Sequence, residues 1–531
     1  MIKTVLKKER KDLEKMDTSQ ICILIAIVVY LVAMIYVGVA CSKKGSDTTD
    51  DFYLGGRKLG PVVTAMSAEA SDMSSWLLMG LPGVAYFTGL ADAAWTAIGL
   101  AVGTYLNWLF VAKRLRLYSA HIGAITVPDF FAKRFRDDHK VLLGISAIVI
   151  IIFFIPYTAS GFAAVGKLFN SLFGVNYMTA MLVGAAVIIL YTVMGGFMAV
   201  STTDLIQSIV MTVALLVVLV FGIDAAGGWG SVEHTAASVP GYMSMGSVEN
   251  VATGSVNRYG FVSICSTLAW GLGYFGMPHI LLRFMAIEDE RKIKTSRRIA
   301  TVWVVISMAV AICIGVVGYA VSKAGGIATF TSASAAEAVI VKIADLLSRH
   351  GAVAALLAGV VLAGILASTM STADSQLLAA SSSVSEDLMR DVLGIKLSPK
   401  ATMWTARATV LVIAALGIFI ARDPNSSVFA IVSFAWAGFG ATFAPVMLLC
   451  LFWKRTNKWG ALAGMVTGGA MVFIWKYLVR PLGGSWNIYE LLPAFLLACA
   501  VIVVVSLLTP APGKDVVKGF EEVKELNRTI H

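Results

Sequence analysis

The sequence predicts an all-α polytopic membrane protein of about thirteen transmembrane helices, ten of them arranged as a five-plus-five inverted repeat. Composition is the first observation behind this reading. Of 531 residues, 58% are hydrophobic and only 14% charged, with a mean hydropathy of +0.81, whereas about a quarter of a soluble chain is charged. The second is recurrence. Windows of about 20 apolar residues, the length that crosses roughly 30 Å of hydrocarbon, fall at 20–41, 61–83, 92–112, 141–165, 177–194, 201–223, 259–280, 299–321, 351–380, 401–421, 427–453, 458–478 and 488–508. The third is that the second and seventh windows are interrupted by polar residues, glycine and proline. Five windows, 61–83 through 201–223, separate their starts, as an inverted repeat requires.

The domain reading follows: an N-terminal tail 1–19, a peripheral first span 20–41, repeats at 61–223 and 259–453, two peripheral spans within 458–508, and a cytoplasmic tail 509–531. Net charge is +10, but the basic residues lie in short loops between spans rather than in a patch for nucleic acid. About 27 Lys and Arg occupy 42–60, 113–140, 281–298, 384–400, 454–458 and the C-terminal tail, against about 7 in the alternate loops. The first set is therefore cytoplasmic. An odd number of spans places the N-terminus outside, although residues 1–19 carry six Lys or Arg. Initiation at Met16 would remove that conflict, and an intact mass that includes residues 1–15 would refute it. The first apolar run lacks a small-residue cleavage site and reads as a span, not a signal peptide. Cys22, Cys41, Cys265, Cys313, Cys450 and Cys499 all fall inside apolar windows without CxxC or His/Cys spacing, so neither disulfides nor zinc are expected.

In chain order, the first span has no polar group to explain. The second contains AEASDMSSWLLMGLPG, where Glu69 and Asp72 lie with Ser71, Ser74 and Ser75 at membrane depth. Intramembrane carboxylates mark sites by default. Gly80, Pro82 and Gly83 permit a helix break, whose freed carbonyls must face protein, water or an ion; this is read as a discontinuous helix lining a cation and substrate site. The Arg134 to His139 cluster reads as a solvated cytoplasmic face. In the fourth span, IPYTASG places Pro156, which removes a backbone donor, beside Tyr157, either a packing kink with a locally satisfied hydroxyl or a substrate contact. In the sixth, Asp204 follows Thr202 and Thr203 and reads either as a helix-start residue or as a second carboxylate at depth.

The seventh span, WGLGYFGMPH, has three glycines and a proline, poor helix material, and is read as the second broken helix. Trp270 and Tyr274 stand one turn apart and share a face; His279 reads as a structural hydrogen-bonding residue. In the ninth, Ser368, Ser371 and Thr372 at i, i+3 and i+4 turn their oxygens to one face, a pattern suited to a hard alkali cation, against the alternative that each bonds back to its own helix. Asp374 and Gln376 enlarge that polar face. The eleventh span carries Ala435, Gly438 and Gly440, small residues for close helix packing.

Six motifs in this order, SDMSSWLLMGLPG, IPYTASG, GGFMAVSTTD with Gln207, GWGLGYFGMPHI with RFMA, MSTADSQLL with SEDL, and SFAWAGFGATFAPV, resemble the sodium/solute symporter family, most closely its sodium/proline symporters, over residues 17 to 510. The resemblance implies the inverted-repeat core of the leucine-transporter fold on spans two to eleven. It implies a sodium site made of the carbonyls of Ala70, Met73 and Ser368 and the hydroxyls of Ser371 and Thr372. Asp72 resembles the family's aspartate required for sodium coupling, and Asp204 one near the ion's inward path. Ser74, Trp76, Tyr157, Trp270 and Tyr274 look like the proline pocket. Ser368 stands where alanine is common and Ser75 where some relatives have glycine. The expected function is uptake of L-proline with Na+ as the coupling ion, at the plasma membrane, without another cofactor. Alternatives are a sodium-coupled carrier of another small organic solute, or a membrane sensor, which the lack of a signalling domain after Leu508 disfavours. No nucleophile–base constellation or cofactor loop points to an enzyme.

Overall fold

The computed structural model describes residues 17–42, 53–194, 196–250, 254–395 and 398–529; most of the N-terminal tail, including Met16, lies outside them. Among the described residues, nine helices are long and apolar enough to cross a membrane, and four shorter apolar helices, Trp76–Thr88, Tyr177–Leu190, Phe261–Gly276 and Trp404–Ile420, fall in the other four windows. Two of those four are short because their windows are broken. The share of each apolar window that is buried separates core from periphery: 83% for Val428–Phe452 and 72% for Ala352–Val392, against 28% for Thr18–Cys41 and 22% for Lys458–Leu482. One exception to the all-helical expectation is a small antiparallel hairpin, Ser247–Asn250 with Ser255–Arg258, in the long loop before the seventh window.

Water does not drive helices together inside a bilayer, so close packing must, and small residues allow it. A Cβ on Gly271 would lie 2.1 Å from the Gly99 carbonyl oxygen, and one on Gly103 2.3 Å from that of Gly271. The helix Leu90–Leu106 thus touches the second broken helix backbone to backbone and fixes its neighbours Trp270 and Tyr274. Gly440 approaches Gly273 in the same way, its would-be Cβ 2.8 Å from Gly273 Cα, which is the packing role expected of the eleventh span.

The expected break at Gly80–Gly83 is displaced. The helix Pro61–Asp72 ends at Met73, with φ −75° and ψ 66°, and resumes at Trp76, so the interruption contains neither glycine nor proline. Gly80, Pro82 and Gly83 all lie inside the resumed helix. Gly83 serves packing instead, since a Cβ there would meet the Glu337 backbone nitrogen at 2.9 Å. Glu337 in turn accepts from Lys167 Nζ at 2.6 Å and from the Val428 and Phe429 amides at 3.0 and 3.1 Å, capping the buried helix Val428–Phe452. The second break follows its sequence closely: helix Phe261–Leu268, a tight 3-10 stretch Ala269–Gly276, extended Met277, then helix Pro278–Ala286.

Two loop readings are corrected. Arg134 does not lie on a solvated face: it is 2% exposed, donates to the Cys450 carbonyl through Nε at 3.2 Å, and lies over the Tyr118 and Phe520 rings. Phe520 belongs to an amphipathic helix, Lys514–Thr529, which docks through Val516, Phe520 and Val523 where only a polar tail was expected. Arg283, counted with the cytoplasmic loop 281–298, is 1% exposed inside the bundle.

Candidate functional site

The two breaks meet. Losing the helical ladder at Met73–Ser75 frees backbone groups of the first broken helix, and side chains from two other helices, Ser371 and Tyr157, bond them. Ser371, on the helix Ala352–Ser382, donates from its hydroxyl to the Ala70 carbonyl at 2.8 Å and lies 3.2 Å from the Ser368 carbonyl. Thr372 donates to that same Ser368 carbonyl at 3.1 Å. The Ser371 hydroxyl thus reaches both carbonyls and the Thr372 hydroxyl one of them, all four residues being buried. With their protons turned aside, the hydroxyls present lone pairs beside the carbonyl oxygens, an all-oxygen set of the kind hard cations take. Met73 is buried at the break, its amide on the Glu69 carbonyl at 2.8 Å, and makes no hydrogen bond to the 368–372 turn. The Ser368 hydroxyl bonds back to Ile365 at 2.8 Å, so at that position only the carbonyl faces the group.

Asp72 sits one step away. Its carboxylate accepts from the Tyr274 hydroxyl at 2.5 Å through Oδ2, and its carbonyl accepts from the Trp76 indole at 3.1 Å and the Tyr157 hydroxyl at 3.4 Å. Tyr157 thus reaches across to the break rather than bonding within its own helix, which runs unbroken from Val141 to Phe173 through Pro156. The Ser74 hydroxyl accepts from the Trp76 amide at 3.4 Å. Trp76 and Trp270 face each other with centroids 6.2 Å apart, and Trp436 anchors the Trp270 carbonyl at 2.7 Å. Of the five residues expected in a substrate pocket, Tyr274 bonds the Asp72 carboxylate, Tyr157 and Trp76 bond its carbonyl, and Ser74 and Trp270 lie against Trp76.

Asp204 is not a helix-start residue. Its helix begins at Phe197, and the carboxylate is fully buried. Asp204 Oδ2 accepts from Ser67 Oγ at 2.7 Å and from Arg283 at 3.2 Å, while Arg283 also donates to Ser67 Oγ at 3.0 Å, to the His279 carbonyl at 2.9 Å and to Ser375 Oγ at 2.5 Å. The cluster joins both broken helices to Phe197–Ala225 and Ala352–Ser382. Sequence reasoning missed Arg283; a lone arginine in the largely apolar PHILLRFMA was the available signal, since a buried charge needs a partner. His279 also departs from its reading: its ring is buried between Phe154 and Tyr157, at 5.8 and 6.3 Å, with no hydrogen-bond partner for either nitrogen. Gln376 accepts from Thr158 at 3.3 Å.

A family model described as the sodium:solute symporter family matches residues 52–468. The chain belongs to that family. It is 41% identical over 505 residues to the osmoregulated proline transporter OpuE of Bacillus subtilis, covering 95% of this chain and 98% of that one. To a sodium/proline symporter of Haemophilus influenzae it is 43% identical over 508 residues, covering 94% and 97%. Among solved structures, a Na+-coupled sialic acid symporter in a substrate-bound outward-open state superposes with a TM-score of 0.75 at 18% identity, over 93% of this chain and 99% of that chain. A nucleobase-cation-symport-1 family transporter in a closed conformation does so at 0.54 and 15% identity, over 89% and 98%. These structures share the fold. As a member of the family the chain is a multi-pass membrane transporter, not an enzyme.

Proposed function

We propose that the protein is a secondary transporter that carries L-proline into the cell with Na+ by alternating access. Support comes from relatives of the same length named for sodium and proline, and above all from the Ser371 hydroxyl lying 2.8 Å from the Ala70 carbonyl. Through that contact, an ion binding to the ninth-window helix acts on the first broken helix. In this reading the carbonyls of Ala70, Met73 and Ser368 and the hydroxyls of Ser371 and Thr372 hold the ion. Asp72 couples it to substrate, Asp204 lies on its inward path, and Ser74, Trp76, Tyr157, Trp270 and Tyr274 form the pocket. Freed backbone groups at the breaks serve the carboxylate and ammonium of the zwitterion, and the indoles flank its ring. Sodium drives the cycle by binding more tightly to the outward-open state, because a ligand shifts an equilibrium only through its differential affinity. The repeats span 61–223 and 259–453, flanked by 20–41 and 458–508. The Lys/Arg-rich loops face the cytoplasm, with the N-terminus outside the plasma membrane and the C-terminus inside.

Uptake of labelled proline into proteoliposomes tests the function. Accumulation is expected under an inward sodium gradient and is expected to fail when choline replaces sodium; equal uptake in choline refutes the coupling, and saturable uptake of a different solute in preference to proline refutes the substrate. Trp270→Ala is expected to raise the apparent KM for proline by about tenfold, on the order of 1.4 kcal/mol, with unchanged insertion. Normal substrate affinity in that variant removes Trp270 from the pocket.

A further inference from the structure

The first broken helix carries two carboxylates, and a single sodium ion answers for only one of them. Glu69 and Asp72 stand three residues apart on one face of Pro61–Asp72, both buried. Their partners are neutral: the Trp108 indole donates to Glu69 Oε1 at 2.9 Å, and the Tyr274 hydroxyl to Asp72 Oδ2 at 2.5 Å. Among the described residues no basic side chain pairs with either, and Arg283 is taken up by Asp204. The same residues close a ring. The helix Leu90–Leu106 continues as a wider π turn, Asn107–Val111, so that Thr104, Asn107 and Trp108 stand one turn apart; such turns often mark functional sites. The Asn107 amide nitrogen donates to the Tyr274 carbonyl at 2.9 Å. The ring therefore runs from Glu69 through Trp108, Asn107 and Tyr274 to Asp72, and back along the first broken helix. Four oxygens around it have no donor: Glu69 Oε2, Asp72 Oδ1, Asn107 Oδ1 and Thr104 Oγ1. All four residues are buried, where an orphaned acceptor is costly. Both carboxylates and Thr104 are near enough to the Tyr274 hydroxyl to act on it.

We propose that this ring holds a second sodium ion, bound by Glu69, Asp72, Asn107 and Thr104 and separate from the ion at the Ser371–Thr372 turn. Two buried carboxylates without a basic partner call for two positive charges, since buried charges persist when paired. The ion beside Ala70 supplies one and this ion the other. A proton would engage two of the four oxygens and leave the rest unpartnered, whereas a hard cation takes carboxylate, amide and hydroxyl oxygens together. Magnesium keeps several waters, which oxygens cut off from solvent do not accommodate. The ions bind in order. The first, between Ala70 and Ser371, restrains the end of the helix that carries Glu69 and Asp72, and a site whose competent arrangement is already selected binds more tightly. The second site rests on the proposed sodium coupling, and its test separates the two claims.

The measurement is equilibrium binding of radioactive sodium, without proline, to the full-length protein in lipid nanodiscs, with Glu69→Gln and Thr104→Val alongside. Two ions per chain are expected for the wild type and one for Glu69→Gln, which keeps an acceptor for the Trp108 indole. Sodium activation of proline uptake is expected to be sigmoidal in the wild type, with a Hill coefficient of about 1.5–2, and hyperbolic in Glu69→Gln. Thr104→Val removes one oxygen at nearly constant volume and is expected to weaken the second ion roughly tenfold, the effect of losing one polar contact to a charge, with the first ion unchanged. If Glu69→Gln fails to fold, Thr104→Val carries the test alone. Because the second ion follows the first, loss of the Ser371 and Thr372 hydroxyls is expected to remove both. One ion per chain in the wild type, or two binding with unchanged affinity in the folded variants, overturns the second site and leaves the Ser371–Thr372 site intact. No saturable sodium binding to the wild type overturns the sodium reading and this site with it.

Discussion

Arg283→Gln is expected to destabilise the protein by about 3–5 kcal/mol, the range for removing one partner of a buried ion pair. Asp204 and Arg283 are 0% and 1% exposed in their side chains, 3.2 Å apart, so the variant leaves a carboxylate without its countercharge where water does not reach. Ser67 still donates to Asp204, which offsets only a part of the loss. The double variant Arg283→Gln with Asp204→Asn removes both charges and is expected to recover most of the stability without recovering transport. The reason is that Arg283, on the second broken helix, ties it to the first through Ser67 and to Ala352–Ser382 through Ser375. Thermal unfolding of the single and double variants in nanodiscs checks the pair. A single variant as stable as wild type, or a double variant no better than the single, would show that the charges do not act together.

Asp72→Asn is expected to lower apparent sodium affinity by roughly 10- to 100-fold. The carboxylate lies between two proposed carbonyl ligands in sequence, Ala70 and Met73, and is wholly buried. At an effective dielectric near 20, a carboxylate and a cation within several ångströms of each other attract by a few kcal/mol, and every 1.4 kcal/mol is about tenfold in affinity. Asparagine keeps an acceptor for the Tyr274 hydroxyl and leaves the shape of the pocket alone, so the effect reads the charge. Sodium titration of proline uptake in proteoliposomes measures it; wild-type sodium dependence would detach Asp72 from coupling.

Much of this site was legible because bilayers make polar residues conspicuous. Asp72, Tyr157, Trp270, Tyr274 and the Ser371–Thr372 pair each stood out against apolar neighbours, and the structure gathers them where two helices break. Composition was a weaker guide to where the first break falls. Gly80, Pro82 and Gly83 permit a break, yet the chain interrupts at Met73–Ser75, where tertiary partners such as Tyr157 and Ser371 bond the freed carbonyls of Asp72 and Ala70. Arg283 and Arg134 were hidden for the opposite reason. Each lies in sequence near the end of a span, where arginine ordinarily reaches water, and only the fold reveals Asp204 beside one and Phe520 and the Cys450 carbonyl beside the other. The docking of Lys514–Thr529 was likewise invisible until its apolar stripe met a surface.

The most direct test is equilibrium binding of radioactive sodium to the purified protein without proline, comparing wild type with Ser371→Ala combined with Thr372→Ala. Loss of both hydroxyls is expected to abolish saturable sodium binding in the millimolar range while the protein remains folded. Undiminished binding in the folded double variant would contradict an ion held between the first broken helix and the Ser371–Thr372 turn.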